Sequence, residues 1–285
     1  MLHDETIEKI ILRHSGRGMN ILEPYLPPDF CHLAAREILS WKRETVILTT
    51  GFYVAGHAET DGPLGTMVVA KALKKLGFDI LIVTDRFCKN LFEDDNLSVM
   101  YIGLNAGKDE CQEILSQIDP VGLISIERCG KNSKRKYENM RGVDIGATTA
   151  PCDRLFELAY GKYPTIGVGD GGNEIGMGNL AGLISRSLCL NPCVVPADIL
   201  VIASVSNWGA YGIVAALEEL SGMKLMEEFD TIRKYLEKIV DMGCVDGVTH
   251  EQIMSVDGMD VSVEEEIYNS LADRVGIENI RRWAV

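Results

Sequence analysis

Short runs of apolar, mostly β-branched residues alternate along the chain with stretches of helical spacing. The runs are TVILTT (45–50), DILIVT (79–84), LSVMYI (97–102), VGLISI (121–126), PTIGVG (164–169) and DILVIASVS (198–206). Each is continuously apolar rather than alternating, which is the pattern of a strand covered by helices on both faces. Between them, Leu64, Met67, Val68, Ala72, Leu73 and Leu76 form one helical stripe, and Ile213, Val214, Leu217 and Leu220 form another. Gly77 follows the first stripe where a helix C-terminus favours glycine, and Asp109 or the Ser206-Asn207 pair can open further helices. The expectation is an α/β fold, a Rossmann-like doubly wound, mostly parallel sheet. Helical stretches around Pro24, Pro27 and Pro28 precede the first strand, and about eighty residues of helix and loop follow the last. These read as helical N- and C-terminal additions to a single domain spanning residues 1–285, without internal repeat or low-complexity linker.

Composition narrows the function classes. With 285 residues, 46% of them hydrophobic and 25% charged, the chain can bury a sizeable core. A net charge of −14 repels polyanions, so neither a nucleic acid nor an anionic membrane is an expected partner. A small anionic ligand stays open, because one site can reverse the field locally. The eight cysteines are scattered without a CxxC pair, as expected for reduced, buried thiols. The opening MLHDETIEKIILR is charged and amphipathic, lacks an apolar signal core, and no later run is long enough to span a bilayer. A cytoplasmic protein is expected; homo-oligomerisation stays open.

In open α/β sheets ligands bind beyond the C-terminal ends of the strands, so the loops that follow the runs carry most of the information. Gly167-x-Gly169-x-x-Gly172 satisfies GxGxxG, yet a pyrophosphate there would meet Asp170, with Glu174 close behind. The acidic ribose partner expected at the end of the next strand is also missing, since that run ends in Ser204-Val205-Ser206-Asn207. Gly51 and Gly56 have phosphate-loop spacing, but His57 and Ala58 follow where Lys and Ser or Thr are required. No nucleotide cofactor is expected.

What remains is a set of carboxylates just past strand ends: Glu59, Asp61, Glu127, Asp144, Asp170 and Glu174. Converging oxygens suit a hard divalent cation, for which Asp61, Glu59 and Asp170 are candidate ligands. They equally suit a pair of carboxyl groups with separated pKa values. Taken singly, each is also an ordinary turn or helix-capping residue. The loop from Glu127 to Gly142 holds six Lys or Arg against two Glu, a local reversal of sign. Within it Arg128 and Arg141 are candidate carboxylate clamps. Trp208 and Tyr211 can wall a pocket, and His57 can shuttle a proton.

Taken together, TGF…ETDGPLG…IVTD, IERCGK…Y.NMRGVDI, TIGVGDGGNEIGMGN and NWGAYG resemble the D-glutamate cyclase family, from about Asn20 to about Gly276. The resemblance implies a Rossmann-like fold, conversion of D-glutamate to 5-oxo-D-proline with release of water, and assistance by a divalent ion, manganese or magnesium. Cys129 departs from the pattern, where proline is expected, and alters loop stiffness more than chemistry. Such a cyclisation needs a base, an acid or metal, and an anion clamp. By position and charge, Glu127 or Asp170 is the candidate base, and Glu174 or a metal held with Asp61 serves the departing oxygen. Arg128 and Arg141 are cast on the substrate's carboxylates, the Gly171 and Gly172 N–H groups on the oxyanion, and Asn173 and Trp208 on the substrate. Two other readings keep the pocket: a lyase or amidohydrolase acting on another small amino or hydroxy acid, and a small-acid-binding protein without turnover.

Overall fold

The computed structural model describes residues 5–93 and 96–283, with side-chain surroundings as far as residue 276. Helices α1 (Ile7–Ile11), α2 (Met19–Leu22) and α3 (Phe30–Ser40) precede strand β1 (Thr45–Thr50). A tight hairpin, β2 (Tyr53–Val54) and β3 (His57–Ala58), leads into α4 (Pro63–Lys75), β4 (Asp79–Thr84), β5 (Ser98–Tyr101) and α5 (Lys108–Ile118). Then come β6 (Gly122–Ile126), α6 (Asp153–Ala159), β7 (Thr165–Gly169), α7 (Ala181–Ser187), β8 (Ile199–Ile202) and α8 (Ser206–Ser221). Helix α9 (Phe229–Asp241), a second hairpin of β9 (Ser255–Val256) and β10 (Met259–Asp260), and α10 (Val261–Trp283) follow.

Six parallel strands form the central sheet in the order β5-β4-β1-β6-β7-β8. Numbered alone, they run 3-2-1-4-5-6, the doubly wound order. The chain leaves β1 toward β4 and returns on its other side as β6, so the connections diverge between the C-terminal ends of β1 and β6. That divergence opens a crevice there. Helices α3, α4 and α8 pack into one layer and α5 against α6 into another, which leaves β6 and β7 buried throughout. Both terminal additions close on the core through α8, which α1 and α10 contact. The expected fold class is thereby observed.

The sixth strand is shorter than the apolar run predicts. It stops at Ile202, and Ser206 is already the first residue of α8. The boundary is set from elsewhere in the chain, because Asp61 accepts the N–H groups of Ser206 (3.0 Å) and Asn207 (2.8 Å) and so fixes the helix start. Among the described residues, no helix is long and apolar enough to cross a membrane.

Of the six glycines of the 165–179 stretch, Gly167, Gly176 and Gly178 let backbone approach backbone, while Gly169, Gly171 and Gly172 make room for side chains. A Cβ on Gly167 would lie 2.6 Å from the Ile175 carbonyl oxygen, and one on Gly178 would lie 2.5 Å from the Val195 carbonyl carbon. Strand β7, the turn beyond it and the segment before β8 are pressed together there with no room for side chains.

Candidate functional site

The site lies at the crevice between β1 and β6. Asp61 follows β1 and its hairpin, Glu127 follows β6, and Asp170 follows β7. One carboxylate oxygen from each falls within 4.8 Å of the other two, and all three residues are buried. Glu127 takes a left-handed backbone conformation, φ 46°, unusual outside glycine. Gly62 packs directly against it, since a Cβ there would lie 2.8 Å from the Glu127 Cβ. Strain tolerated at a buried carboxylate that lines a cleft is what functional sites commonly store.

Two helix N-termini point at the cluster. Besides its bonds to the start of α8, Asp61 accepts the Gly62 N–H at 2.9 Å. Asn207 answers from α8, its Oδ1 accepting the N–H groups of Gly62 (2.9 Å) and Gly65 (2.7 Å) at the start of α4. Ser206 Oγ donates to Glu127 Oε2 at 2.5 Å. The positive ends of α4 and α8 therefore offset part of the negative charge.

Above the cluster opens a cleft of about 370 Å³ whose lining includes Glu59, Glu127, Glu174, Asn173, Arg141 and Met140. Arg17 and Asp257 complete it, one from each terminal addition. Arg17 reaches across with both guanidinium nitrogens, to Asp170 Oδ1 and to Asp257 Oδ1, each at 2.7 Å. Six carboxyl groups thus crowd one cation. Burial pushes Glu59, Asp61, Glu127 and Asp257 well above the usual carboxylate range, and neighbouring carboxylates push each further. Asp170 rises to about 7, raised by burial against the opposing pull of Arg17. Glu174 is raised by burial as well, against the hydrogen bonds it accepts. Such a group cannot ionise fully, and it must hold protons or a cation. The Oδ2 of Asp170, fully buried, accepts no N–H or hydroxyl, and the group that shares a hydrogen bond with this carboxyl is another acid, Asp257. An acceptor orphaned beside two further carboxylates suits a hard divalent ion, and these residues fit one.

The structure places the remaining expected residues unevenly. Asn173 and Glu174 line the cleft, and Arg141 stands exposed at its mouth. Arg128 does not reach it. Its guanidinium is fully buried, donating to Gly51 O (2.7 Å), Ala150 O (2.8 Å) and Asp85 Oδ2 (2.6 Å), so it ties strand ends together and has no fork left for substrate. The oxyanion role for Gly171 and Gly172 also fails. Their N–H groups donate to the two Glu174 oxygens, at 2.8 and 2.7 Å, so the glycine turn cradles a carboxylate of its own chain. His57 lies exposed on β3, outside the cleft lining, and the histidine that does line it is His250.

Trp208 is a further correction. It is fully buried, its indole Nε1 donates to Glu264 Oε2 at 2.6 Å, and Tyr211 donates to the other oxygen at 2.8 Å. The pair fastens α8 to α10 rather than walling the cleft. Trp208→Phe should therefore lower stability by about 1–3 kcal/mol, by leaving an acceptor unpaired, and leave substrate affinity unchanged. Urea unfolding beside a KM determination checks this; a raised KM at unchanged stability would restore the pocket role.

Sequence reasoning missed Arg17, Asp257 and His250. The only traces were glycines on both sides of Arg17 and the Asp257-Gly258 turn pair, neither of which indicates a cleft.

A doubly wound α/β protein with a cleft lined by acidic residues at its switch point is the class that fold and site define. Residues 7–272 match the family described as D-glutamate cyclase-like, C-terminal, and the chain belongs to that family. The match extends past Asn20 toward the N-terminus and takes in Arg17. Over 200 residues, 61% of this chain, the sequence is 34% identical to the human protein D-glutamate cyclase, mitochondrial. The aligned part is 32% of that relative, so the chain spans about a third of its length. Among solved structures, an exopolyphosphatase-related protein from Bacteroides fragilis is similar at a TM-score of 0.40 and 11% identity, covering 87% of this chain and 57% of that one. Nothing about function follows from a likeness of that degree.

Proposed function

We propose that the chain is a D-glutamate cyclase-like hydro-lyase that converts D-glutamate to 5-oxo-D-proline and water. The observation that carries this reading is the convergence of Asp61, Glu127 and Asp170 beneath a cleft with Arg141 at its mouth. Family membership and the named human relative support it.

The proton balance of the reaction suits such a site. The substrate's ammonium gives up two protons as its nitrogen bonds the side-chain carboxyl carbon, and both leave with the departing oxygen as water. No proton is consumed overall, so what is needed is a set of carboxyl groups that accept and return protons near neutrality. Glu127, held by Ser206, takes one ammonium proton before the nitrogen attacks and passes it on to the departing oxygen. Glu174, in the same cleft, gives that oxygen its other proton and is recharged by the second proton that the nitrogen loses. Arg141 attracts the substrate's free carboxylate and orients it. Asp61 and Asp170, beside the Glu127 base, would hold a divalent ion, manganese or magnesium, whose chemistry is to polarise the carboxyl group under attack.

Incubating the purified protein with D-glutamate or L-glutamate, with manganese or with a chelator, and following both acids and 5-oxoproline by NMR tests the reading. Formation of 5-oxo-D-proline from the D-isomer is expected. Persistence of D-glutamate under every condition would overturn it.

A pH dependence of stability follows from the same cluster. The Asp170 carboxyl has an ordinary value of 3.8 and is raised to about 7 in the fold. Between these values the folded protein binds a proton that the unfolded chain releases, so stability falls as pH rises through that window. Metal-free protein is expected to unfold at higher urea concentration at about pH 5.5 than at about pH 7.5, with manganese narrowing the difference by stabilising the protein at the higher pH. Identical midpoints with and without manganese at the higher pH would contradict the cation site.

A further inference from the structure

The basic residues of the Glu127–Gly142 loop do not all serve the acidic cleft. Lys131 and Arg135 turn instead to a second cavity of about 640 Å³, where they meet Lys108 and Arg154, with Tyr137, Glu157 and Leu158 completing the wall. The two cavities share no lining residue. Four cations against one carboxylate is a marked local reversal on a chain of net charge −14.

The cations come from three separate parts of the sequence, Arg154 and Lys131 held by side-chain contacts and Lys108 and Arg135 placed by their backbone. Lys108 begins α5, so the positive end of an eleven-residue helix adds to the field. Arg154 is on α6 and donates to the Ala106 carbonyl oxygen before α5, which ties the two helices together at the cavity. Arg135 sits in a turn built by Asn132, whose Oδ1 accepts the N–H groups of Lys134 (2.9 Å) and Lys136 (3.1 Å). In that turn Arg135 takes a left-handed φ of 61°, a conformation costly for an arginine. Asp153, beneath the wall, is taken up by the Tyr137 hydroxyl (2.7 Å) and the Lys131 N–H (3.2 Å), so its charge is engaged with neighbours below the cations. Among the described residues only Glu157 pairs with any of the four, through Lys131 at 2.5 Å. Lys108 and Arg135 have no ion-pair partner there.

We propose that this basic cavity is a binding site for a phosphorylated small molecule, separate from the acidic cleft. Its volume exceeds what a single phosphate needs, and its two Arg and two Lys offer the forked and point donors that phosphate oxygens take. The acidic cleft cannot perform this task, because its lining carboxylates repel phosphate. The occupant has a route to the cleft as well. Arg135 and Tyr137 wall the basic cavity, and Asn139, Met140 and Arg141 of the same loop line the other.

Calorimetric titration of the metal-free protein with inorganic pyrophosphate at low ionic strength tests the site without reference to turnover. Saturable one-to-one binding is expected, with affinity reduced about tenfold or more in the Lys108→Ala/Arg135→Ala double variant. The comparison is Lys134→Ala/Lys136→Ala, which removes the same charge from the same neighbourhood outside the cavity and should change affinity less than threefold. All four residues are exposed, so both variants should fold, and melting curves verify that. Absence of saturable binding, or equal losses in the two double variants, would overturn the proposal. Either result is independent of whether D-glutamate is turned over.

Discussion

Glu127→Gln is expected to lower the turnover of D-glutamate about a thousandfold while the protein stays folded. The exchange preserves shape, and the amide oxygen can still accept from Ser206, so the left-handed backbone at this position is held as before. What disappears is the capacity to take a proton, and a positioned general base contributes roughly 10²–10⁴ in rate. Stability should not fall, since one of six crowded carboxyl groups has become neutral. Initial rates measured beside a urea titration separate the two effects. A rate within about threefold of the parent would remove Glu127 from the chemistry.

The largest effect on stability is expected at Arg17. Among the described residues it is the cation that bonds the site carboxylates directly, its two nitrogens engaging Asp170 and Asp257 simultaneously. In Arg17→Met those two carboxyl groups lose their partner while staying buried, which costs about 3 kcal/mol at pH 8, near the lower end for a broken buried pair because the carboxyls can take up protons. The sign with pH follows. Asp170 already stands near 7 with Arg17 in place, and losing the cation raises it further. The variant therefore recovers stability as pH falls and the carboxyls protonate. Arg17→Lys keeps the charge but loses the fork, and should lie between the two. Urea midpoints at pH 8 and pH 5.5 check this, and equal destabilisation at both would mean that charge is not the cause.

The sequence made the sheet legible because a strand buried on both faces is apolar at every position, as in the runs at 45–50 and 121–126. Its largest error in extent, the run that continued to Ser206 where β8 ends at Ile202, has a tertiary cause. Nothing local shows that Asp61 holds the start of α8. The carboxylates at 59, 61, 127, 170 and 174 were found by a rule of place, since each follows a strand on the side where doubly wound sheets bind ligands. That rule gives a residue's position along the strand but not the direction of its side chain. The strand ends at Ile126 and the chain turns through a left-handed Glu127, so Glu127 lines the cleft while Arg128, one residue on, is locked beneath Gly51 and Ala150. Trp208 misled for a related reason, since its partner Glu264 lies in α10, outside every motif. Arg17 and Asp257 were beyond reach, because they belong to the terminal additions and enter the site only when both additions fold over the sheet.

The most direct test is a crystal structure of the protein grown with manganese and 5-oxo-D-proline. The account predicts the metal between the oxygens of Asp61 and Asp170, beside Glu127, with the carboxylate of the product turned toward Arg141. Metal or product bound elsewhere, with Asp61 and Asp170 unengaged, would contradict it.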